Sequence, residues 1–386
     1  MITKDIPIVH WLEDGNTLEA RWLSLDATPP VTRIVVADGT MTADDAYGLA
    51  CQGTALLWRG DFMESRQMLR ALGNRADRPQ RKARGRAETS VGEPAEAFHR
   101  YRQARSQRAR TLNALLIPLN DDYTIPLRRA PDIRQACAEA FGPANAVSVA
   151  PLRALLGVVG AHEWRTKGIE LPEAGGRIHP HFGVFSPIRR EYIDLISIAP
   201  LPTACASASL AFDIGTGTGV LAALLARRGI ERVIATDLDP RALACARGNV
   251  QRLGLAGRID VRQADLYPEG RAPLIVCNPP WIPARPSSPM ESGIYDPESR
   301  MLRGFLQMLP QHLDPDGEGW LILSDLAEHL SLRTRAQLLE EFESAGLRVV
   351  DRNDVRPRHP RVYDKTDPLH FARAAEITSL WRLAAR

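Results

Sequence analysis

From Ala211 onward the apolar positions alternate between short continuous runs and helical periods. "LAFDIG" is an apolar run closed by an acid and a glycine, as expected of a strand buried on both faces. "TGVLAALLARRG", ending at Gly229, spaces its apolar residues as a helix does; "RVIATD" is a second strand and "DPRALACARGNVQRLG" a second helix. That helix carries its own punctuation, with Asp239 as N-cap, Pro240 at the first helical position and Gly254 just past the end. "RIDVRQAD" and "PLIVCN" follow as strands three and four. "DPESRMLRGFLQMLPQHL" reads as a helix opened by Asp296 and Pro297, "GWLILSD" as strand five and "LRTRAQLLEEFESAG" as a further helix. "LRVVDRNDV" and "EITSLWRL" close the chain as a strand pair with a polar connection. Strands and helices alternating at this spacing predict a parallel sheet with crossover helices.

The pattern before Ala211 is less regular. Short apolar runs ("RIVVAD", "TALLWRG") flank a helical stretch near "TADDAYGLA", which suggests a small mixed α/β unit. Residues 74–94, "NRADRPQRKARGRAETSVGEP", lack apolar periodicity and are expected to form an exposed basic loop. The periodicity breaks again around "TKGIELPEAGGRIHPHFG". The expected division is an N-terminal domain over 1–165, serving substrate recognition, and a second domain over 166–386.

Composition narrows the class. The chain has 386 residues, 44% hydrophobic and 25% charged, enough for two globular domains. It holds no run of about 18 apolar residues and no signal-peptide apolar region near its start, so a cytoplasmic enzyme with no membrane partner is the expectation. Cys51, Cys137, Cys205, Cys245 and Cys277 show no C-x-x-C pairing and read as reduced, packed thiols. The net charge is only +3, but arginines crowd residues 66–110. Few aromatics interleave them, so a solvated helix face is favoured over a nucleic-acid arm.

The candidate chemistry sits at the strand ends. In "DIGTGTG", Gly215, Gly217 and Gly219 allow a tight turn and close approach of a ligand to the backbone. A dinucleotide fingerprint needs its third glycine one residue later, where this chain has Val220, so a nicotinamide cofactor and an oxidoreductase form only a distant alternative. Asp213 opens the loop, Asp237 ends strand two and Asp265 ends strand three. Acids so placed suit an ammonium-bearing tail, ribose hydroxyls and an adenine amino group respectively. Together they describe S-adenosylmethionine, with Thr216, Leu238 and Leu266 beside them in the cradle. At the end of strand four, Asn278, Pro279, Pro280 and Trp281 form a clamp for a flat nitrogen nucleophile: the Asn278 side-chain oxygen, which also faces the cofactor, and the Pro279 carbonyl accept its N–H groups, and Trp281 stacks on it. His179 and His181 find no third ligand in the sequence; no metal is expected, and they shape the substrate mouth.

"DIGTGTG", "ATDLDPRALACARGNVQRLGL", "ADLYPEG", "VCNPPWIPA" and "YDPESRMLRGFL" resemble the protein-(glutamine N5) methyltransferases of release factors and a ribosomal protein, within the class I S-adenosylmethionine-dependent methyltransferases. The resemblance covers roughly 183–386. It implies a Rossmann-like seven-stranded sheet with an antiparallel last strand, S-adenosylmethionine as donor, Asn278 to Trp281 as acceptor clamp, and Asp213, Gly215, Gly217, Asp237 and Asp265 as cofactor contacts. Trp281 stands where the family has tyrosine, and "GVFSPIRRE" replaces a Pro-Arg-Pro-Glu-Thr-Glu element, with Phe185 and Glu191 as its remnants over the methionine end of the cofactor. An N-methyltransferase acting on a protein glutamine-type or small-molecule acceptor is the leading reading. Methylation of an rRNA or DNA base amino group is the alternative, and a nucleic-acid partner ranks behind a protein or small molecule.

Overall fold

The computed structural model describes residues 6–24, 29–84, 93–206, 209–286 and 291–386, with the side chains of 79–84 outside the description. The chain forms two compact units, one of Met1–Gly92 with His99–Glu163 and the other of Glu93–Phe98 with Trp164–Arg386.

In the first unit, β1 (Ile8–Glu13), β2 (Asn16–Trp22), β3 (Ile34–Ala37), β4 (Ala55–Trp58), β5 (Leu115–Leu119) and β6 (Ser148–Pro151) form a mixed sheet in the order β1-β2-β6-β5-β4-β3. β3, β4 and β5 run parallel, so α1 (Ala43–Cys51), α2 (Phe62–Arg84) and α3 (Pro94–Asn113) serve the crossovers between them. α4 (Arg134–Phe141) precedes β6, and α5 (Leu152–Lys167) follows it. Trp11, Trp22, Leu57 and Leu116 pack into one core. The expected loop over 74–94 is corrected at its start: residues 74–84 continue α2. Arginine, glutamine, lysine and alanine are good helix formers, and Met68 and Leu72, both buried, anchor the preceding turns. Residues 85–92 of that loop lie outside the described residues.

The second unit opens with a hairpin of β7 (Ile169–Leu171) and β8 (Gly176–Ile178), then α6 (Glu191–Ile198). Its main sheet combines β9 (Leu210–Ile214), β10 (Arg232–Asp237), β11 (Ile259–Gln263), β12 (Ala272–Cys277), β13 (Leu313–Ser324), β14 (Leu347–Val355) and β15 (Thr378–Ala385) in the order β11-β10-β9-β12-β13-β15-β14. The first five strands in that order are parallel, and β15 runs antiparallel to both β13 and β14. This is the seven-stranded sheet with an antiparallel last strand that the family resemblance implies. α7 (Val220–Arg227) and α8 (Pro240–Arg252) join β9, β10 and β11. α9 (Arg300–His312) precedes β13, while α10 (Leu326–His329), α11 (Arg335–Ser344) and α12 (His370–Ala375) follow it.

The apolar runs are continuous because both faces are covered. Leu274 and Val276 of β12 pack with α6 and α7, whereas Ile275 and Cys277 pack with Phe305 of α9 and Phe342 of α11. The helix expected to begin at Asp296 and Pro297 begins at Arg300, after a 3-10 turn. Asp296 still caps it, its carboxylate accepting from the Met301 and Leu302 amides at 3.0 and 3.1 Å. All five cysteines are free thiols, four of them buried, and no helix among the described residues is long and apolar enough to cross a membrane.

Candidate active site

The glycine loop turns between β9 and α7 with φ of 71° at Gly215, 55° at Gly217 and 80° at Gly219. A Cβ at Gly215 would lie 2.3 Å from the Met301 methyl, and one at Gly219 would lie 3.3 Å from the Ala246 backbone; at Gly217 it would meet nothing within 4 Å. Two glycines therefore serve packing, and the middle one borders open space. Asp213 clasps the loop from beneath. It is 0% exposed, and its Oδ2 accepts from the Thr216 hydroxyl at 2.6 Å and the Ala222 amide at 3.0 Å. Its Oδ1 is buried with no partner among the described residues. Burial pushes the Asp213 carboxyl up to about 6.

Asp237, at the end of β10, grips the same loop. Its Oδ2 accepts from the Gly217 amide at 3.0 Å and its Oδ1 from the Asp239 amide at 2.9 Å; burial raises its pKa. Leu238 beside it is 54% exposed. Asp265 is also exposed and faces the Arg300 guanidinium at 3.4 Å. Leu266 holds a left-handed backbone, φ 74°, unusual for a bulky residue. Its carbonyl is held there by the Thr236 hydroxyl at 2.5 Å, and its side chain fills the space that a Cβ at Gly304 would take.

At the end of β12, the Asn278 Oδ1 accepts the Trp281 indole N–H at 2.9 Å, so the acid-free clamp is closed on itself by one hydrogen bond. The Arg189 guanidinium lies over the indole, 4.7 Å from the ring centre. Two carboxylates hold that guanidinium: Glu191 at 2.5 Å and Glu376 at 2.9 Å, both buried. Ser324 donates to Glu376 at 2.7 Å, and His359 is kept below the usual histidine range by burial and by the Arg189 charge. Beyond Pro279, Pro280 and Trp281 the chain is pinned by Ile282, whose amide donates to the Ile294 carbonyl at 3.1 Å and whose carbonyl accepts from the Asp296 amide at 2.8 Å. Phe185 packs against Gly293 of this returning loop, where a Cβ would come within 2.7 Å of it.

The structure thus joins Asp213, Thr216, Gly217 and Asp237 in one hydrogen-bonded set and Asn278 with Trp281 in another, and it ties Phe185 to the loop that follows. His179 acts through its backbone amide, which donates to Asn249 at 2.8 Å, and Asn249 in turn donates to the Thr218 carbonyl at 2.9 Å. Its ring donates to the Arg165 carbonyl at 2.6 Å. The His181 amide donates to the Cys245 sulfur at 3.3 Å. Sequence reasoning missed Arg189, Glu376, Thr236 and Met301. Arg189 sits inside the "GVFSPIRRE" stretch already singled out, but nothing local marks Glu376.

A glycine-rich turn after a central strand, with acids closing the neighbouring strands, sets the candidate site at the strand ends, where open α/β sheets bind ligands. Residues 175–349, somewhat less than half of the chain, match the family described as methyltransferase small domain. A ribosomal protein L11 methyltransferase of Pelotomaculum thermopropionicum is 51% identical over 69 residues, which cover 17% of this chain and 22% of the relative. A release factor glutamine methyltransferase of Cereibacter sphaeroides is 39% identical over 144 residues, covering 36% of this chain and 48% of the relative. The chain therefore spans less than half the length of these curated relatives. Among solved structures, a methyltransferase from Pyrococcus furiosus aligns over 53% of this chain and 91% of its own, with 20% identity and a TM-score of 0.34.

Proposed function

We propose that this protein is an S-adenosylmethionine-dependent N-methyltransferase acting on the planar amide nitrogen of a protein side chain of the glutamine type. The observation that carries this reading is the Asn278 oxygen, set at the end of a central strand and oriented by the Trp281 N–H. S-adenosylmethionine supplies an electrophilic methyl group when bound. The residues present fit it: the Asp213 Oδ1 is a buried acceptor without a partner, suited to an ammonium group or its bridging water, and Gly217 offers backbone beside open space. Asp237 has already committed one lone pair of each oxygen to backbone amides and retains others for hydroxyl donors.

An amide nitrogen is a weak nucleophile because its lone pair is delocalised. The Asn278 oxygen has a second lone pair for an acceptor N–H, and the Pro279 carbonyl takes the other N–H; drawing on both returns electron density to nitrogen as the bond to carbon forms. Arg189 covers one face of Trp281, and the indole, partly buried against the cores on both sides of the sheet, offers its remaining exposed surface to the acceptor's flat group. The names of the two relatives, one a glutamine methyltransferase of release factors, support a protein acceptor. The test is transfer of tritiated methyl from S-adenosylmethionine into fractionated cell extract. Label recovered as N5-methylglutamine after protein hydrolysis is the expected result. Label in RNA or DNA would move the acceptor to a base amino group, and calorimetric binding of NAD rather than S-adenosylhomocysteine would overturn the reading altogether.

A further inference from the structure

Between α9 and α11 runs a groove of about 600 Å³, lined by Pro283, Ser299, Arg303, Arg333 and Glu341 among others. Pro283 follows Trp281 by two residues, so the lining includes the segment that carries the clamp. Three features mark it as built for a ligand. Arg333 is only 7% exposed, yet its Nε and Nη2 are buried without a partner among the described residues. Those two nitrogens form the edge of a guanidinium that grips both oxygens of a carboxylate in parallel. The carboxylates of Glu328, Glu341 and Asp296 surround this charge without hydrogen-bonding to those two nitrogens, so their bonding capacity is left unused, and arginine does not escape that cost by deprotonating. In the same groove the Glu341 Oε2 is a buried acceptor without a partner, its other oxygen held by Arg303 at 3.0 Å. Glu298 and Ser299, also in the lining, both hold left-handed backbones with φ of 58° and 54°, a strain that clusters at ligand clamps.

Charge decides the ligand. Three carboxylates, Glu298, Glu340 and Glu341, against two guanidiniums, Arg303 and Arg333, make the lining net negative, and Arg303 is committed to Glu341; that excludes a dianionic phosphate and leaves the Arg333 fork to hold no more than a single carboxylate. An amide N–H beside that carboxylate would satisfy Glu341. A carboxylate flanked by amides is the chemistry of an acidic residue within a peptide.

We propose that the α9–α11 groove docks an acidic residue of the acceptor polypeptide, its carboxylate gripped by the Nε and Nη2 edge of Arg333. The proposal rests on the reading of a protein acceptor. Both nitrogens are closed to solvent as the side chain stands, so docking requires rotation about the last bonds of Arg333 to turn that edge into the groove, and the docked residue then holds its neighbouring segment at the clamp.

The test uses the full chain and N-acetyl-glutamate methylamide as probe, followed by thermal shift and calorimetry, with its γ-methyl ester and inorganic phosphate as controls. The expected result is saturable stabilisation by the blocked glutamate and none by the ester. Arg333→Met, which removes the fork, should weaken half-saturation by about tenfold or more while still binding S-adenosylhomocysteine. Arg333→Lys, which keeps the charge and loses the fork, should weaken it as well. Equal binding by the ester, unchanged binding in Arg333→Met, tighter binding of phosphate, or no saturable shift would each overturn the proposal. S-adenosylhomocysteine binding, measured on the same samples, separates the two readings: with it intact and the blocked glutamate unbound, only the groove assignment falls.

Discussion

Asn278 and Asp213 show how differently two polar side chains at strand ends can be held. Asn278 shares its oxygen with Trp281, so its loss removes an acceptor for the substrate and leaves the indole N–H without its partner. Asn278→Ala should bind S-adenosylhomocysteine normally and lose about 10²-fold or more in turnover, as expected for one preorganised transition-state acceptor. Asn278→Asp, which keeps an acceptor, should retain more activity than the alanine variant; equal rates in wild type and both variants would make the clamp structural. Asp213 is buried, and its folded pKa of about 6 lies above the ordinary 3.8. The native state therefore holds the proton more tightly than the unfolded chain. The stability this contributes is fully present below the unfolded value and is lost as pH rises through about 6. Asp213→Asn should flatten that fall between roughly pH 4 and 6, on the order of a few kcal/mol, when urea denaturation of the two proteins is compared across pH.

At the scale of elements, the loop between β9 and α7 divides its glycines by task. All three need the left-handed backbone, which costs an alanine about 1–2 kcal/mol. Gly215→Ala meets the flexible Met301 methyl and Gly219→Ala the fixed Ala246 backbone, so both should lower the melting temperature more than Gly217→Ala, with Gly219→Ala the most. Gly217→Ala meets no neighbour, so its excess effect should fall on cofactor affinity. Calorimetry with S-adenosylhomocysteine beside thermal denaturation checks this split; a larger affinity loss in Gly215→Ala would reverse the assignment. The same loop is held from both sides, by Asp213 within β9 and by Asp237 at the tip of β10.

Across the whole molecule, charge bears on the choice of acceptor. The arginine-rich helices of the N-terminal unit already have partners at several points: Arg75 pairs with Asp44 at 2.7 Å and Arg108 with Asp77 at 2.8 Å. Charges neutralised within their own unit release no counterions on binding a polynucleotide. Methyl transfer to a protein acceptor should accordingly change by less than about tenfold between 50 and 200 mM salt, whereas six or more phosphate contacts would cost about 10³-fold or more. A steep loss with salt would return nucleic acid to the front.

What the sequence determined by itself were the features that act over a few residues: the buried parallel strands and their crossover helices, the positive-φ glycines, the Asp239 cap, and the placing of Asp213, Asp237 and Asn278 at strand ends. Periodicity, capping and turn chemistry are local, so they are legible without a fold. Helix boundaries were less so, because residues 74–84 extend α2 on propensity and anchoring where composition suggested a loop, and α9 starts late behind two strained residues. Only the tertiary structure decided that Trp281 would close on Asn278 under Arg189, since that stack depends on Glu376, which the pairing of β15 with β13 brings beside Ser324. It likewise decided that Arg333 would be buried with its fork unpaired, because burial is a property of the packed helices around a residue and leaves no mark in the letters beside it.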